Sequence, residues 1–537
     1  MRRALEFIKS MAAARLFAAF AAVCISFLAV WWGSLNQDEG WYLYAAQLVR
    51  DGKFPYHDFF FTQGPALPFV YSALAPVWTS PASPLHGLLG GRIVTLAFGF
   101  AAIALGVALV RRLVPPEERS AAGLALFALL GCNLYHVYFN AIPKTYALGT
   151  MFLMGGFLLI AHGLERRGFL RAIALLAGGL SLAFASGTRI SLVLVLPVVS
   201  FTLLFRFREW RWSFFWFGIG GAAGLMLTYG FFALDPESLK GLLAAQKYHA
   251  ARGGFDPFFA IGSISRLVRG YAALGVVLFA AVVMEKRDGR DEARPSHEAR
   301  PSHEAVFSQC RSTMLWMLVL SFAAVFLLQI SAPFPYDDYQ VPVMTVLAVA
   351  IAAFFYGKCT SHWFPVLVAG MASFSSPQLQ EWATFPQDRF WSRKKPCTEL
   401  AKLREMALEI NMLDPGGKEL LTQDLYLAVE TGRRVPPRFE MGPFSYFPDA
   451  SNEEARAIHV FSTADLEALL ESAPCRMAAF SDYSFAIAAP KCDEVSYERQ
   501  KAFWLILRKN YEQIDSEPNF GQNATTLHVL RRKEQKR

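Results

Sequence analysis

The sequence predicts an all-α polytopic membrane protein of roughly eleven transmembrane helices, followed by a small C-terminal α/β domain. Three observations carry this expectation. Of 537 residues, 54% are hydrophobic and only 18% charged, whereas an ordinary soluble domain is about a quarter charged. Apolar stretches recur from Leu16 to Phe374, most of them near the ~20 residues that a bilayer requires. From Ser376 onward the composition turns to that of a soluble domain. A disordered chain and a coiled coil are excluded by the same pattern, and 7 cysteines in this length are too few for a disulfide scaffold.

The first element is an apolar run at 16–32, preceded by Arg2, Arg3, Lys9 and Arg15. No small-residue cleavage pattern accompanies it, so it is expected to stay as the first membrane helix and not to be removed as a signal peptide. Further spans are expected at 88–110, 121–139, 145–164, 171–186, 190–205, 213–233, 268–284, 313–330, 342–357 and 362–375. The stretches at 171–186 and 362–375 are short, and losing either would move the C-terminal region to the other side. Alternate loops are basic: Arg111, Arg112 and Arg119; Arg166, Arg167 and Arg171; Arg206, Arg208 and Arg211; Lys286, Arg287 and Arg290; then Lys358. Such loops stay in the cytoplasm. The expected arrangement is therefore a multi-pass protein of the inner (plasma) membrane, surrounded by membrane lipids. Its N-terminus is cytoplasmic, and residues 34–87, 234–267, 331–341 and the C-terminal region lie outside.

The formal charge of +8 does not call for a nucleic acid. Residues 376–537 hold 22 Lys+Arg against 24 Asp+Glu, leaving 30 against 20 for the rest. The basic excess belongs to the membrane part, where it marks sidedness. Expected domains are accordingly 1–375, with a first external loop at 34–87 and a low-complexity cytoplasmic loop at 285–312, and a soluble external domain at 376–537. The loop contains a tandem six-residue repeat over 292–304. Its His297 and His303 are given no chemical role, since polar, proline-containing repeats are solvated linkers.

In the soluble domain, 398–410 has helical spacing, Ser462 and Thr463 cap a helix running to Glu471, 477–489 has strand character, 496–511 is amphipathic, and 525–530 alternates as a last strand. Cys397, Cys475 and Cys492 allow one disulfide with one thiol left over, and spacing does not choose the pair.

The segment with most chemical content follows the first helix. Asp38 and Glu39 open a stretch dense in aromatics, and two carboxylates there admit two readings. Asn36 is suited to N-cap a helix with Glu39 as its N3 partner, both acids then serving the positive helix end. Alternatively, an acid at this boundary acts on a substrate. Asp38-Glu39, Tyr42, Ala46, Gly52, the run Pro55-Tyr56-His57-Asp58-Phe59-Phe60 and Gln63-Gly64-Pro65-Ala66-Leu67 together resemble the first external loop of GT-C fold glycosyltransferases. These polytopic enzymes use lipid-phosphate sugars and include the dolichyl-phosphate-mannose protein mannosyltransferases and the aminoarabinose transferase of lipid A. The next span, from Gly91-Arg92-Ile93-Val94 to Val110-Arg111-Arg112, is similar to their second helix, with a weaker echo at Tyr339-Gln340-Val341-Pro342.

That resemblance implies an inverting glycosyltransferase, moving a hexosyl or pentosyl group from a polyprenyl-phosphate carrier to a lipid, glycan or protein acceptor outside the membrane. It implies Asp38 as the catalytic base, with Glu39 orienting the acceptor or supporting Asp38. Cations must then meet the leaving phosphate. Arg189 is the preferred candidate, followed by Arg92, Lys144, and Lys247 or Arg252. For each, the alternative is snorkelling to lipid headgroups. Tyr42, Asp58, Asp337 and Tyr339 are candidate acceptor or supporting residues. His57 beside Asp58 does not make a metal site, and no required metal or other cofactor is expected, with a divalent ion at the Asp337-Asp338 pair as the open alternative. Competing classes are a transporter or flippase, an O-antigen ligase or polymerase-like protein, and a membrane scaffold. Few acids lie deep within the spans, and span lengths show no inverted repeat, which disfavours the transporter.

Overall fold

The computed structural model describes residues 10–80, 82–206, 211–250, 254–288, 302–355, 362–384, 397–485, 495–521 and 525–534. Lys358, Arg208, Arg252, Arg290, Cys492 and most of the 292–304 repeat lie outside these residues.

Among the described residues, seven helices are long and apolar enough to cross a membrane: Met11–Trp32, Leu88–Leu113, Thr145–Glu165, Gly168–Thr188, Trp212–Leu234, Ser308–Ile330 and Asp337–Phe354. An eighth is formed if Pro257–Gly270 and Ala272–Val283, bent by 70°, make one span. The expected count of eleven is therefore not confirmed, and the reasons are local. The 121–139 stretch breaks at Cys132, because the Asn133 side chain accepts from the His136 N–H at 3.0 Å and starts a new helix, Leu134–Phe139. What remains, Arg119–Gly131, has 13 residues and rises about 20 Å, short of a ~30 Å hydrocarbon layer. Phe364–Phe374 has 11 residues and is shorter still, and the 190–205 stretch opens with a 3-10 turn, Ile190–Leu194. The 171–186 stretch, by contrast, extends to a full 21-residue helix, Gly168–Thr188.

The helices of the membrane body pack closely through small residues, the usual device where neighbours and lipid are equally apolar. At Gly220 an added Cβ would stand 2.0 Å from the Leu176 carbonyl oxygen. The Leu88–Leu113 helix spans the body from end to end. At its start the Leu88 N–H donates to the Glu430 carboxylate at 2.9 Å, and at its end Arg112 pairs with Glu165 at 2.6 Å among the basic loops.

The C-terminal region carries a four-stranded sheet, ordered β1-β2-β4-β3, from strands β1 (Leu421–Thr422), β2 (Met477–Ser481), β3 (Tyr511–Phe520) and β4 (Thr525–Arg532). β1 and β2 are parallel, while β2 with β4 and β3 with β4 are antiparallel, pairing Ala479 with Val529 and Asp515 with Val529. Helices Glu399–Leu413, Thr463–Ser472 and Tyr497–Asn510 begin at side-chain caps from Thr398, Ser462 and Ser496. Cys397 and Cys475 are both free thiols, so of the pairs the sequence allowed, this one is not formed; Cys492 lies outside the described residues.

This unit packs on the segment after the first helix. The Leu35 N–H donates to Glu399 at 2.8 Å, the Gln37 amide to Asp424 at 3.1 Å, and the Val435 N–H to the Tyr44 hydroxyl at 2.9 Å. Residues 34–87 and the C-terminal unit thus occupy the same end of the membrane body, opposite the Arg112–Glu165 end.

Candidate active site

The helix Gln37–Arg50 opens with the capping box that the sequence suggested. The Asn36 side chain accepts from the Asp38 N–H at 3.1 Å, and Glu39 accepts from the Asn36 N–H at 2.9 Å. Asp38 and Glu39 are successive residues of the first turn, so they point about 100° apart around the axis. Glu39 turns inward and is fully buried, where Arg92 donates to both of its oxygens at 2.7 Å. The same guanidinium also donates to the carbonyls of Val30, Gly33 and Ser34. Both residues are consumed in tying the first two membrane helices to the loop. In this arrangement Glu39 braces the turn that carries Asp38, and the Arg92 guanidinium is turned to Glu39 and to backbone carbonyls.

Asp38 faces the other way, with its side chain 26% exposed, and its Oδ2 lies 2.8 Å from Lys144 Nζ. Lys144 is the extended residue that precedes helix Thr145–Glu165. Its ammonium also donates to Asp338 at 3.0 Å, and the Tyr146 hydroxyl donates to the same carboxylate oxygen at 2.7 Å. Burial opposes the charge on Lys144, but Asp338 and then Asp38 outweigh it and hold the ammonium protonated well above its ordinary range. Burial also drives the Tyr42 hydroxyl far upward; Asp38 adds to that, while Arg189 and Lys144 act against it, which places Tyr42 in the field of the same cluster.

Arg189 completes the group. It is the extended residue between Gly168–Thr188 and the following 3-10 turn. Its guanidinium stacks over the rings of Tyr339, at 4.4 Å, and Tyr146, at 5.2 Å. Thr145 takes one hydrogen bond from it at 3.3 Å, and among the described residues its buried Nε has no hydrogen-bond partner. The loop-one motif explains its position. An added Cβ on Gly64 would stand 2.1 Å from the Gly187 carbonyl oxygen, so only glycine lets the Gln63-Gly64-Pro65 turn rest against the chain that leads into Arg189.

Asp38, Lys144, Arg189, Tyr42 and Tyr339, chosen from the sequence, therefore converge on one locus built from helix ends. Asp337 does not join them: it accepts from Tyr135 at 2.8 Å and from Arg266 at 2.8 Å. Asp58 closes its own turn, accepting from the Phe54 N–H at 2.6 Å, with His57 at 3.3 Å. Lys247 is exposed on the separate helix Pro236–Ala250. Asp338, named from the sequence only as half of the Asp337-Asp338 pair, and Tyr146, which was not selected, also belong to the cluster; Tyr146 lay in the same short motif, two residues from Lys144. Among the described residues, no three His, Cys, Asp or Glu side chains are grouped to hold a metal ion.

No family model and no curated protein sequence matches the chain. Solved structures do. ArnT from Cupriavidus metallidurans bound to undecaprenyl phosphate is similar with a TM-score of 0.58 at 12% identity, over 96% of this chain and 97% of that one. The same protein in the apo state gives 0.50 at 11% identity, again over 96% and 97%. The oligosaccharyltransferase of Archaeoglobus fulgidus, tethered with an acceptor peptide, gives 0.49 at 11% identity, over 98% and 75%. The length and continuity of the likeness to ArnT establish that this chain has the GT-C fold.

Proposed function

We propose that the chain is an inverting glycosyltransferase that moves a sugar from a polyprenyl-phosphate carrier to an acceptor on the external face of the membrane. The observation that carries this reading is a partly open carboxylate, Asp38, in the same cluster as a buried guanidinium, Arg189, whose Nε has no hydrogen-bond partner among the described residues. A carboxylate and a guanidinium at one locus suit a displacement in which phosphate leaves. Asp38 takes the proton of an acceptor hydroxyl or amine as its heteroatom attacks the anomeric carbon. The bond from that carbon to the phosphate oxygen breaks, and the phosphate departs with the electron pair toward Arg189. A neighbour of this fold, ArnT, is bound to undecaprenyl phosphate in its structure, which supports a lipid phosphate as the carrier.

The test compares surface glycans, glycolipids and glycoproteins by mass spectrometry with the gene intact, deleted, and restored as wild type or variant. Asp38→Asn keeps the size and polarity of the side chain but takes no proton, so transfer should fall by about 10²- to 10⁴-fold. With purified protein, Arg189→Ala should weaken binding of undecaprenyl phosphate, and Arg189→Lys should restore it only in part, since an ammonium lacks the two-pronged edge of a guanidinium. Full transfer by Asp38→Asn would overturn the assignment.

A further inference from the structure

Asp338, Lys144 and Asp38 form a unit whose composition the transfer chemistry alone does not explain. Two carboxylates from distant parts of the chain reach one nitrogen, at 2.8 and 3.0 Å. A tyrosine hydroxyl steadies the second carboxylate at 2.7 Å, and the lysine side chain is only 7% exposed. Without a cation between them, two carboxylates so close in a poorly solvated place would repel each other. Converging carboxylate and hydroxyl oxygens are the ligand set of a hard divalent cation, which they hold at about 2.0–2.6 Å. Here a compact ammonium with three donors stands at their meeting point. Both of its carboxylate contacts are already made, whereas Arg189 beside it has an Nε with no hydrogen-bond partner among the described residues.

We propose that Lys144 is a built-in cation occupying the place of a divalent metal between Asp38 and Asp338, so that Asp338 is a positioning residue acting through Lys144 and transfer requires no metal. This rests on the assignment of Asp38 as the base. It also withdraws Lys144 from the candidates for direct phosphate binding and leaves that task to Arg189.

The test converts the site. In Lys144→Ala the two carboxylates remain around a space that the ammonium has left, and Mn²⁺ is the probe. Full-length wild type and variant are purified in detergent, treated with chelator, titrated with Mn²⁺ by electron paramagnetic resonance, and assayed for transfer. Wild type should transfer equally with and without chelator and bind no Mn²⁺ at this locus. Folded, monodisperse Lys144→Ala should bind one equivalent of Mn²⁺, lose about 10²-fold in rate and regain at least about tenfold when Mn²⁺ is added. The double variant Lys144→Ala/Asp338→Asn should lose the Mn²⁺. Asp338→Asn alone should move the acid limb of the rate–pH profile to lower pH, because a negative neighbour of the base has gone; a merely structural role would lower the rate and leave the limb in place.

Wild type that is inactivated by chelator, folded Lys144→Ala that binds no Mn²⁺, or an unmoved limb in Asp338→Asn would each overturn the proposal. If Lys144→Ala does not fold, Lys144→Met fills the space without a charge, and its acid limb should move to higher pH; an unmoved limb there counts against the proposal equally. Metal binding is read independently of sugar transfer. Absence of transfer by every form, wild type included, would therefore strike the functional reading, whereas an active wild type with an inactive Asp38→Asn and a metal-blind Lys144→Ala would strike this inference alone.

Discussion

Glu39 lies wholly inside the protein with both oxygens taken by Arg92, while Asp38, one residue earlier, opens toward the cluster of Lys144 and Arg189. Single substitutions should separate the two roles. Removing one partner of a buried, fully hydrogen-bonded pair leaves the other charge uncompensated, at a cost of about 3–5 kcal/mol. Glu39→Gln should thus lower thermal stability and the yield of monodisperse protein, yet change the transfer rate per folded molecule far less than Asp38→Asn. A Glu39→Gln protein of normal stability and no activity would reverse the assignment. From the sequence, the capping role of Glu39 was legible, since Asn36 and an acid three residues on are local. Its partner was not: Arg92 is 53 residues away, and nothing in a single sequence says which helix start will lie under which loop. The same limit explains why Asp337 was favoured over Asp338. The two are adjacent acids in a 3-10 turn, Asp337–Gln340, and their different directions are set by Arg266 and Lys144, which no spacing rule connects to them.

The helix Gln37–Arg50 is held between the membrane body and the C-terminal unit, and Gly40 lies tightly against the backbone of that unit. A Cβ there would stand 2.1 Å from the Tyr426 nitrogen and 2.6 Å from the Leu425 carbonyl carbon, both backbone atoms of helix Leu425–Thr431 or its first residues. Since backbone cannot step aside as a flexible side chain can, Gly40→Ala should push the two helices apart. Overpacking of this kind costs typically about 1–3 kcal/mol. Two residues from Asp38, it should reduce transfer and raise proteolytic cleavage or amide exchange in residues 421–435, without altering the membrane body. Unchanged exchange there would show that the C-terminal unit does not brace this helix. The caps of the soluble helices were legible because Thr398, Ser462 and Ser496 act on backbone N–H groups three residues away. Strands β1 and β3 were not. β1 has two residues, and β3, with Glu512, Asp515, Glu517 and Pro518, has the charge and proline of an edge strand that discourages further pairing.

At the scale of the whole molecule, the sequence placed the loops that carry Asp38, Lys144, Arg189 and Asp338 on one face by counting spans, and in the structure these four residues gather near ends of the long apolar helices. The count itself was less secure, because helices broken at Cys132 and bent at Tyr271 blur what crosses the bilayer. Packing makes one relation independent of it: Glu399, Asp424 and Glu430 hold residues 35, 37 and 88, so the C-terminal unit lies at the same end as the Asp38 loop whether seven or eight long spans are present. The basic loops at the opposite end, with Arg111, Arg112, Arg166 and Arg167, then predict which end faces the cytoplasm. Alkaline phosphatase fused after Arg537 should be active, since it folds only outside the cytoplasm, and a fusion near Arg294 should be inactive. Green fluorescent protein at the same two positions should give the reverse pattern. Phosphatase activity at Arg294 with fluorescence at Arg537 would invert the molecule and put the Asp38 locus in the cytoplasm. An external acceptor could then not reach it, and the proposed reaction would have to be abandoned, even though every contact in the cluster stayed as it is.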